Sequence, residues 1–150
     1  MNPYHTHGIE GASAVEITVA LYDGIIRFMH RAIEAVERGE VDQRRAAVKR
    51  AMDIVIHLQA TLKMDIGGAP AETLSEFYAA MFSLMLQGSQ ASSPQKFEHV
   101  IACVRNVRDA WKQVAKDPGV LGTAPGGQWQ ASRDNSDYAA KSGAGSSWMT

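Results

Sequence analysis

The sequence is poor in the residues and patterns that mark several protein classes. Cys103 is the only cysteine in the 150 residues, which excludes an intramolecular disulfide and a cysteine-rich zinc site. The formal net charge is -1, so the composition indicates neither nucleic acid nor an acidic lipid surface as a partner. The chain has no N-terminal basic-then-apolar signal and no apolar run long enough to span a bilayer. These absences favour a cytoplasmic protein without membrane insertion.

The sequence also lacks the motifs that build a metal, cofactor or catalytic site in a helical protein. Di-iron bundles need Glu-x-x-His on two helices, and no Glu-x-x-His occurs. There is no Cys-x-x-Cys-His for covalent haem, and His57 and His99 fall off the apolar rows of their predicted helices. No Ser-His-Asp or Cys-His arrangement follows from the spacing. We therefore predict no enzyme activity, no cofactor and no metal site; a cofactor-carrying bundle is the weakest alternative.

Four segments of the chain have helical periodicity. Their apolar residues recur every three or four positions, which predicts α-helices. Connections of only a few residues favour antiparallel neighbours. We therefore predict an all-α fold, an antiparallel up-down-up-down four-helix bundle over residues 13–116. The predicted helices run from about Val15 to Arg38, over about 43–65, over about 70–87, and from Pro94 to about Ala115.

Several residues are typical of helix ends. Ser13 followed by Glu16 has the spacing of a capping box and predicts the start of the first helix. Gly39 predicts its end, since glycine readily takes the left-handed conformation after a last turn. Asp42 is the predicted N-cap of the second helix, and one serine of the 92–93 pair is the predicted N-cap of the fourth.

The two ends of the chain differ from the bundle in composition. Residues 1–12 contain Pro3, Gly8 and Gly11 and have no clear period, which predicts a mobile N-terminal arm. Residues 117–150 are rich in glycine, serine and alanine and cannot bury a core. We predict that this low-complexity tail is disordered.

The first predicted helix carries more apolar surface than a bundle seam requires. Its two apolar rows together cover an arc of about 200°, whereas a surface helix needs a stripe of only ~100°. The second row includes Leu21, Ile25 and Phe28. These side chains either pack against a second neighbouring helix or meet a partner. Wide apolar faces on the first two helices fit a groove for an amphipathic partner helix. The alternative is a helical-bundle interaction protein with another client, or a homodimer in which these faces pair with each other.

Three further residues of this helix have a local interpretation. Asp23 and Arg27 are spaced as an i, i+4 ion pair on a solvated face. Gly24 costs ~1 kcal/mol in a helix relative to alanine. It indicates the close approach of another backbone, or else a tolerated exposed glycine.

Short motifs follow one another in a fixed order between residues 4 and 115. The longest is Leu-Tyr-Asp-Gly-Ile-Ile-Arg-Phe over 21–28, followed by a Gly-Gly pair at 67–68 and Arg-x-Ala-Trp at 108–111. In this combination the sequence resembles the flagellar export chaperone family FliS. The residues that carry the resemblance are Leu21, Tyr22, Asp23, Gly24, Arg27, Phe28, Gly67, Gly68, Arg108 and Trp111.

The resemblance implies a cytosolic chaperone that binds the disordered C-terminal segment of flagellin. Covering that segment prevents premature polymerisation and keeps the subunit competent for flagellar type III secretion, with the export apparatus as a further candidate partner. The resemblance also implies that the N-terminal arm covers the client-binding surface when no client is present. Candidates for client contact are Tyr4 and Ile9 in the arm and Leu21, Ile25, Phe28, Ile54, Leu58, Leu62 and Trp111 in the bundle.

Overall fold

The fold consists of long α-helices joined by short connections. The computed structural model describes the backbone of residues 7–116 and the side chains of residues 14–62 and 66–114. The predicted tail and the first half of the predicted arm lie outside the described residues. Helix α1 spans His7–Arg38, α2 spans Val41–Asp65, α3 spans Gly68–Ala91 and α4 spans Pro94–Lys116.

Neighbouring helices run in opposite directions. Arg44, near the start of α2, donates from Nη1 to the Oγ of Ser92, just past the end of α3, at 2.9 Å. Gln59, farther along α2, donates from Nε2 to the carbonyl oxygen of Ser75, nearer the start of α3, at 3.3 Å. Helix α1 packs against α2 and α4, and α3 closes the ring against the same two helices. The prediction of an antiparallel four-helix bundle is confirmed.

The buried side chains described by the structure are apolar or aromatic. Tyr22, Phe77 and Phe97 are the largest of those that are fully buried. Burying a large apolar side chain contributes about 1.5–3 kcal/mol relative to leaving it exposed, so the periodic rows are the main source of stability. The apolar residues of α4 that recur every three or four positions are buried along its whole length, at Phe97, Val100, Val104, Val107, Trp111 and Val114.

Two predicted helix ends are confirmed by their backbone geometry. Gly39 has φ of 69°, and its N–H donates to the carbonyl of Val36 at 3.1 Å. The N–H of Glu40 donates to the carbonyl of Ala35 at 2.8 Å, which completes a Schellman motif at the end of α1. Ser93 caps α4, because its Oγ accepts a backbone N–H from the first turn at 3.3 Å.

Two predicted helix starts are wrong. Helix α1 begins at His7, so the second half of the predicted arm is helical and Ser13 lies inside the helix instead of capping it. Once a turn exists, each further residue adds a hydrogen bond, and the helix extends past a local capping signal. Helix α2 begins one residue before Asp42, with Glu40 at the N-cap and no side-chain cap. Asp42 instead places its carboxylate in the first turn, where the helix dipole favours it.

Helix α3 is longer than predicted, because Gly88 does not end it. Gly88 is buried inside the helix, and a Cβ built there would lie 2.8 Å from Cε1 of Phe97 on α4. The helix continues to Ala91 and ends at Ser92, which has φ of 48°. The N–H of Ser93 donates to the carbonyl of Gly88 at 2.9 Å, so the connection to α4 is two serines instead of a polar loop from Gly88.

Candidate functional site

Three buried side chains from three helices form a hydrogen-bonded network in the centre of the bundle. The hydroxyl of Tyr22 on α1 accepts the Nε1–H of Trp111 on α4 at 3.0 Å. The same hydroxyl lies 2.6 Å from the hydroxyl of Tyr78 on α3, and the two rings meet edge to face with centroids 6.3 Å apart. Burial, and then the neighbouring Tyr78, raises the pKa of Tyr22 well above its usual value. The network therefore stays neutral and ties α1, α3 and α4 together.

An ion pair lies one turn away on the surface of the same helix pair. Nη1 of Arg108 on α4 is 2.8 Å from Oδ1 of Asp23 on α1, and Nη2 of Arg108 is 3.1 Å from Oδ1 of Asp109. The hydrogen bond to Asp23 is the largest of the effects that raise the pKa of Arg108. The predicted pair of Asp23 with Arg27 is wrong, because Asp23 bonds across helices and Arg27 extends over the ring of Phe28.

The glycines of the motifs lie where the fold needs close packing or a turn. Gly24 is buried, and a Cβ built there would lie 3.1 Å from Cδ1 of Ile54 on α2. The close approach predicted at Gly24 is therefore made by a side chain instead of a backbone. Gly67 and Gly68 have φ of 71° and 68°, a conformation that favours glycine, and they turn the chain into α3. The motif residues so far described hold helices together instead of lining an open site.

The nine predicted client-contact residues fall into three groups. Those in the arm, Tyr4 and Ile9, lie outside the described side chains. Those that are half-buried at the edge of the core are Leu21, Phe28 and Ile54. Those that are buried in the core, and so offer no open surface in this conformation, are Ile25, Leu58, Leu62 and Trp111. The structure does not gather these residues into one surface, and contact with a client stays a prediction for each.

An open groove of about 480 Å³ runs between α2 and α3. Its walls are almost entirely apolar. Ile56 stands out, because 54% of it is exposed although isoleucine is usually buried. The main apolar row predicted for α2 consists of Val48, Met52, Val55, Leu62 and Ile66. Ile56 lies outside this row, and a large apolar residue in that position is the signal from which the groove was predictable. The groove is lined by Val55, Ile56, Gln59, Ala60, Tyr78, Ala79 and Phe82.

The described side chains show no arrangement for metal binding or nucleophilic attack. No three of the histidine, cysteine, aspartate and glutamate side chains in the described part of the chain are grouped to hold a metal ion. Burial raises the pKa of the half-buried Cys103 thiol, which lowers the population of the reactive thiolate. None of the described helices combines the length and the hydropathy needed to span a bilayer.

Comparison with known proteins assigns the family. The family model described as "Flagellar protein FliS" matches residues 1–118. The chain is 33% identical over 107 residues to the flagellar secretion chaperone FliS of Campylobacter jejuni, covering 71% of this chain and 82% of that protein. It is 32% identical over 108 residues to the flagellar secretion chaperone FliS of Salmonella typhimurium, covering 71% of this chain and 80% of that one. It is 28% identical over 106 residues to the corresponding protein of Vibrio cholerae, covering 71% and 78%. The chain therefore belongs to the FliS family of flagellar secretion chaperones, a family of chaperones and not of enzymes.

Proposed function

We propose that this protein is a cytoplasmic export chaperone that binds the disordered C-terminal segment of flagellin and keeps it from polymerising before type III secretion. Membership of a flagellar secretion chaperone family supports a flagellar client. The observation that carries the proposal to this chain is the groove between α2 and α3, which is an open and almost entirely apolar surface.

The groove has the composition that an amphipathic helix requires. Val55 and Tyr78 are buried and form its floor, while Ile56 is exposed and Phe82 is half-buried beside them. The polar amide of Gln59 is already bonded to α3, which leaves apolar atoms facing the open space. Apolar side chains spaced along one face of a client helix would fill such a groove.

Binding in this groove would act on the client through coupled folding. A disordered segment loses conformational entropy when it orders, so its affinity is low for the area that it buries. Such an interface masks the apolar stripe of the client and still allows release for secretion. It also predicts that the client gains helix when it binds.

The direct test is a calorimetric titration of the protein with a peptide of the flagellin C-terminal segment. We expect one-to-one binding and a gain of helicity in circular dichroism. Ile56→Ser should weaken binding about fivefold, because covering the exposed half of this side chain contributes ~1 kcal/mol. Phe82→Ser should weaken it by a similar factor. The matched control is Leu86→Ser. Leu86 lies on α3, as Phe82 does, and is 42% exposed, but it does not line the groove.

Each contrary result has a distinct meaning. No heat and no gain of helicity with the peptide would contradict the proposed client. Equal weakening by Leu86→Ser would contradict the groove as the contact surface. Light scattering at several protein concentrations tests the alternative of a homodimer, which would be favoured if Ile56→Ser abolished self-association.

The N-terminal residues stay candidates for a lid over the client surface. Helix α1 begins at His7, so a deletion of residues 1–6 removes Tyr4 without shortening the described helix. If the arm competes with the client, this deletion should tighten client binding. Unchanged or weaker affinity would count against a lid.

A further inference from the structure

A second cleft, of about 320 Å³, lies between α1 and α2 at the end of the bundle where these helices connect. It extends along α1 from Phe28 to Arg38, eleven residues whose ten intervals span about 15 Å at the rise of an α-helix. Ala35 and Ala47 are buried small residues in its floor, which keeps the space between the helices open. None of its lining residues is shared with the groove between α2 and α3.

Three guanidinium groups surround the ring of Phe28, which lines this cleft, and two of them, those of Arg31 and Arg50, line the cleft as well. The Cζ atoms of Arg27, Arg31 and Arg50 lie 5.9 Å, 5.3 Å and 5.9 Å from the centroid of the Phe28 ring. A cation within about 6 Å of an aromatic centroid is attracted by the ring, but such contacts normally occur one at a time. The half-buried Phe28 therefore acts as a common support for three charged side chains from two helices.

These three arginines have no counter-ion in the described part of the chain. No described carboxylate pairs with them, whereas Arg108 pairs with two. No described acceptor takes a hydrogen bond from their guanidinium groups either, although Arg44 on the same α2 helix bonds two serines. Since the whole chain has a formal net charge of -1, this concentration of positive charge is a local feature. Each Cζ lies no more than 5.9 Å from the same ring centroid, so the three charges are close neighbours, and a bound anion would lower their mutual repulsion.

We propose that this cleft docks an acidic peptide segment of a partner protein. Carboxylates of the segment would bind the guanidinium groups of Arg31 and Arg50, which line the cleft and offer paired N–H donors matched to a carboxylate. Apolar side chains between the carboxylates would rest on Phe28 and on the alanine floor. The length of about 15 Å accommodates four or five residues of extended chain at roughly 3.3 Å each.

The charges on the cleft walls favour a peptide over a nucleic acid. Glu34 and Glu40 also line the cleft. They repel a phosphate backbone, which carries a charge at every nucleotide, whereas a peptide can place neutral residues beside them. The proposed ligand is therefore a segment in which neutral residues separate the acidic ones, and not a uniform polyanion. This surface is independent of the proposed function, because it shares no residue with the proposed flagellin groove.

The test is fluorescence anisotropy with the full chain and a labelled peptide that alternates glutamate with leucine. The counterpart with glutamine in place of glutamate should bind about tenfold more weakly, and raising the salt from about 50 mM to about 300 mM should also weaken binding several-fold. The double variant Arg31→Gln/Arg50→Gln should lower affinity for the acidic peptide about tenfold. The matched control is Arg105→Gln/Lys112→Gln, which removes the same charge from exposed positions on α4.

The outcomes distinguish binding in the cleft from a general electrostatic attraction between the peptide and the protein. The proposal is supported if the cleft variant loses affinity and the control does not, with both keeping the melting temperature of the parent. It is overturned if the two variants weaken binding equally, or if the glutamine peptide binds as well as the acidic one. It is also overturned if a single-stranded RNA binds more tightly than the peptide with the same dependence on Arg31 and Arg50. Ile56→Ser should leave acidic-peptide binding unchanged, and a parallel loss would mean that the cleft is not a separate surface.

Discussion

The substitution Tyr22→Phe tests whether the buried network holds the helices together. It keeps the ring and removes the hydroxyl that accepts the Nε1–H of Trp111 at 3.0 Å. Trp111 is only 4% exposed, so its donor cannot turn to water. Leaving a buried donor unsatisfied costs ~1–3 kcal/mol, and we expect a loss of about 2 kcal/mol in the free energy of unfolding. For a bundle of this size, that corresponds to a fall of about 5–10 °C in melting temperature.

The control for this substitution is Tyr78→Phe. It removes the hydroxyl that lies 2.6 Å from Tyr22 but keeps the bond between Tyr22 and Trp111. We expect a smaller loss of about 1 kcal/mol, because the bond between Tyr22 and Trp111 is kept. Urea unfolding followed by circular dichroism measures both values. A cost below ~0.5 kcal/mol for Tyr22→Phe, or an equal cost for the two variants, would refute the central role of the Tyr22 hydroxyl.

The same hydroxyl should make the protein sensitive to alkali. Burial raises the pKa of Tyr22 in the folded state, so the unfolded chain loses this proton first as the pH rises past about 10. The folded state then binds more protons than the unfolded state, and stability falls with increasing pH by up to ~1.4 kcal/mol per unit. Below the tyrosine pKa of the unfolded chain this contribution is fully present. Tyr22→Phe should make the decline shallower, and an unchanged slope would contradict the assignment.

Two further predictions concern helix contacts. Gly88→Ala should lower the free energy of unfolding by about 1–2 kcal/mol, because its Cβ would lie 2.8 Å from the fully buried ring of Phe97 and the gain in helix propensity offsets only part of the strain. The matched substitution Gly24→Ala should leave the free energy of unfolding nearly unchanged, because its Cβ would meet the end of a flexible side chain at 3.1 Å. Equal losses for the two alanine variants in urea unfolding would contradict this difference between the two glycines. Asp23→Asn should lower the free energy of unfolding by ~0.5–1 kcal/mol at low salt and by less at high salt, since the ion pair between Asp23 and Arg108 is partly exposed. A loss that does not change with salt would show that the charge of Asp23 is not its cause.

The interiors of the helices follow from local pattern, whereas their ends depend on packing. Apolar residues that recur every three or four positions predict which helix faces are buried. The left-handed conformation of Gly39 is likewise a property of that residue and its neighbours. Gly88 has the sequence character of a helix end, yet the helix passes through it. The absence of a Cβ at Gly88 leaves room for the ring of Phe97 on the next helix, a contact that no local rule detects.

Packing against other helices also decides the contacts of individual side chains, which a local pattern does not predict. Asp23 has a suitable cation four residues away and bonds instead to Arg108, which is 85 positions along the chain. Ile56 lies outside the main apolar row of its helix, yet its side chain lines the open groove together with Ala79 and Phe82 of α3. Sequence patterns indicated that spare apolar surface exists. Its location depends on which faces the neighbouring helices cover.

The hydrogen bonds of Tyr22 connect the proposed client groove to a natural optical reporter. Tyr78 belongs both to the groove wall and to the buried network that ends at Trp111. Trp111 is the only tryptophan in the described part of the chain, since Trp129 and Trp148 lie in the tail. If a client in the proposed groove displaces Tyr78, the hydrogen bonding of the Trp111 indole should change, and the emission of that residue with it. In a variant with phenylalanine at the two tail positions, fluorescence would then follow occupancy of the groove without any attached label.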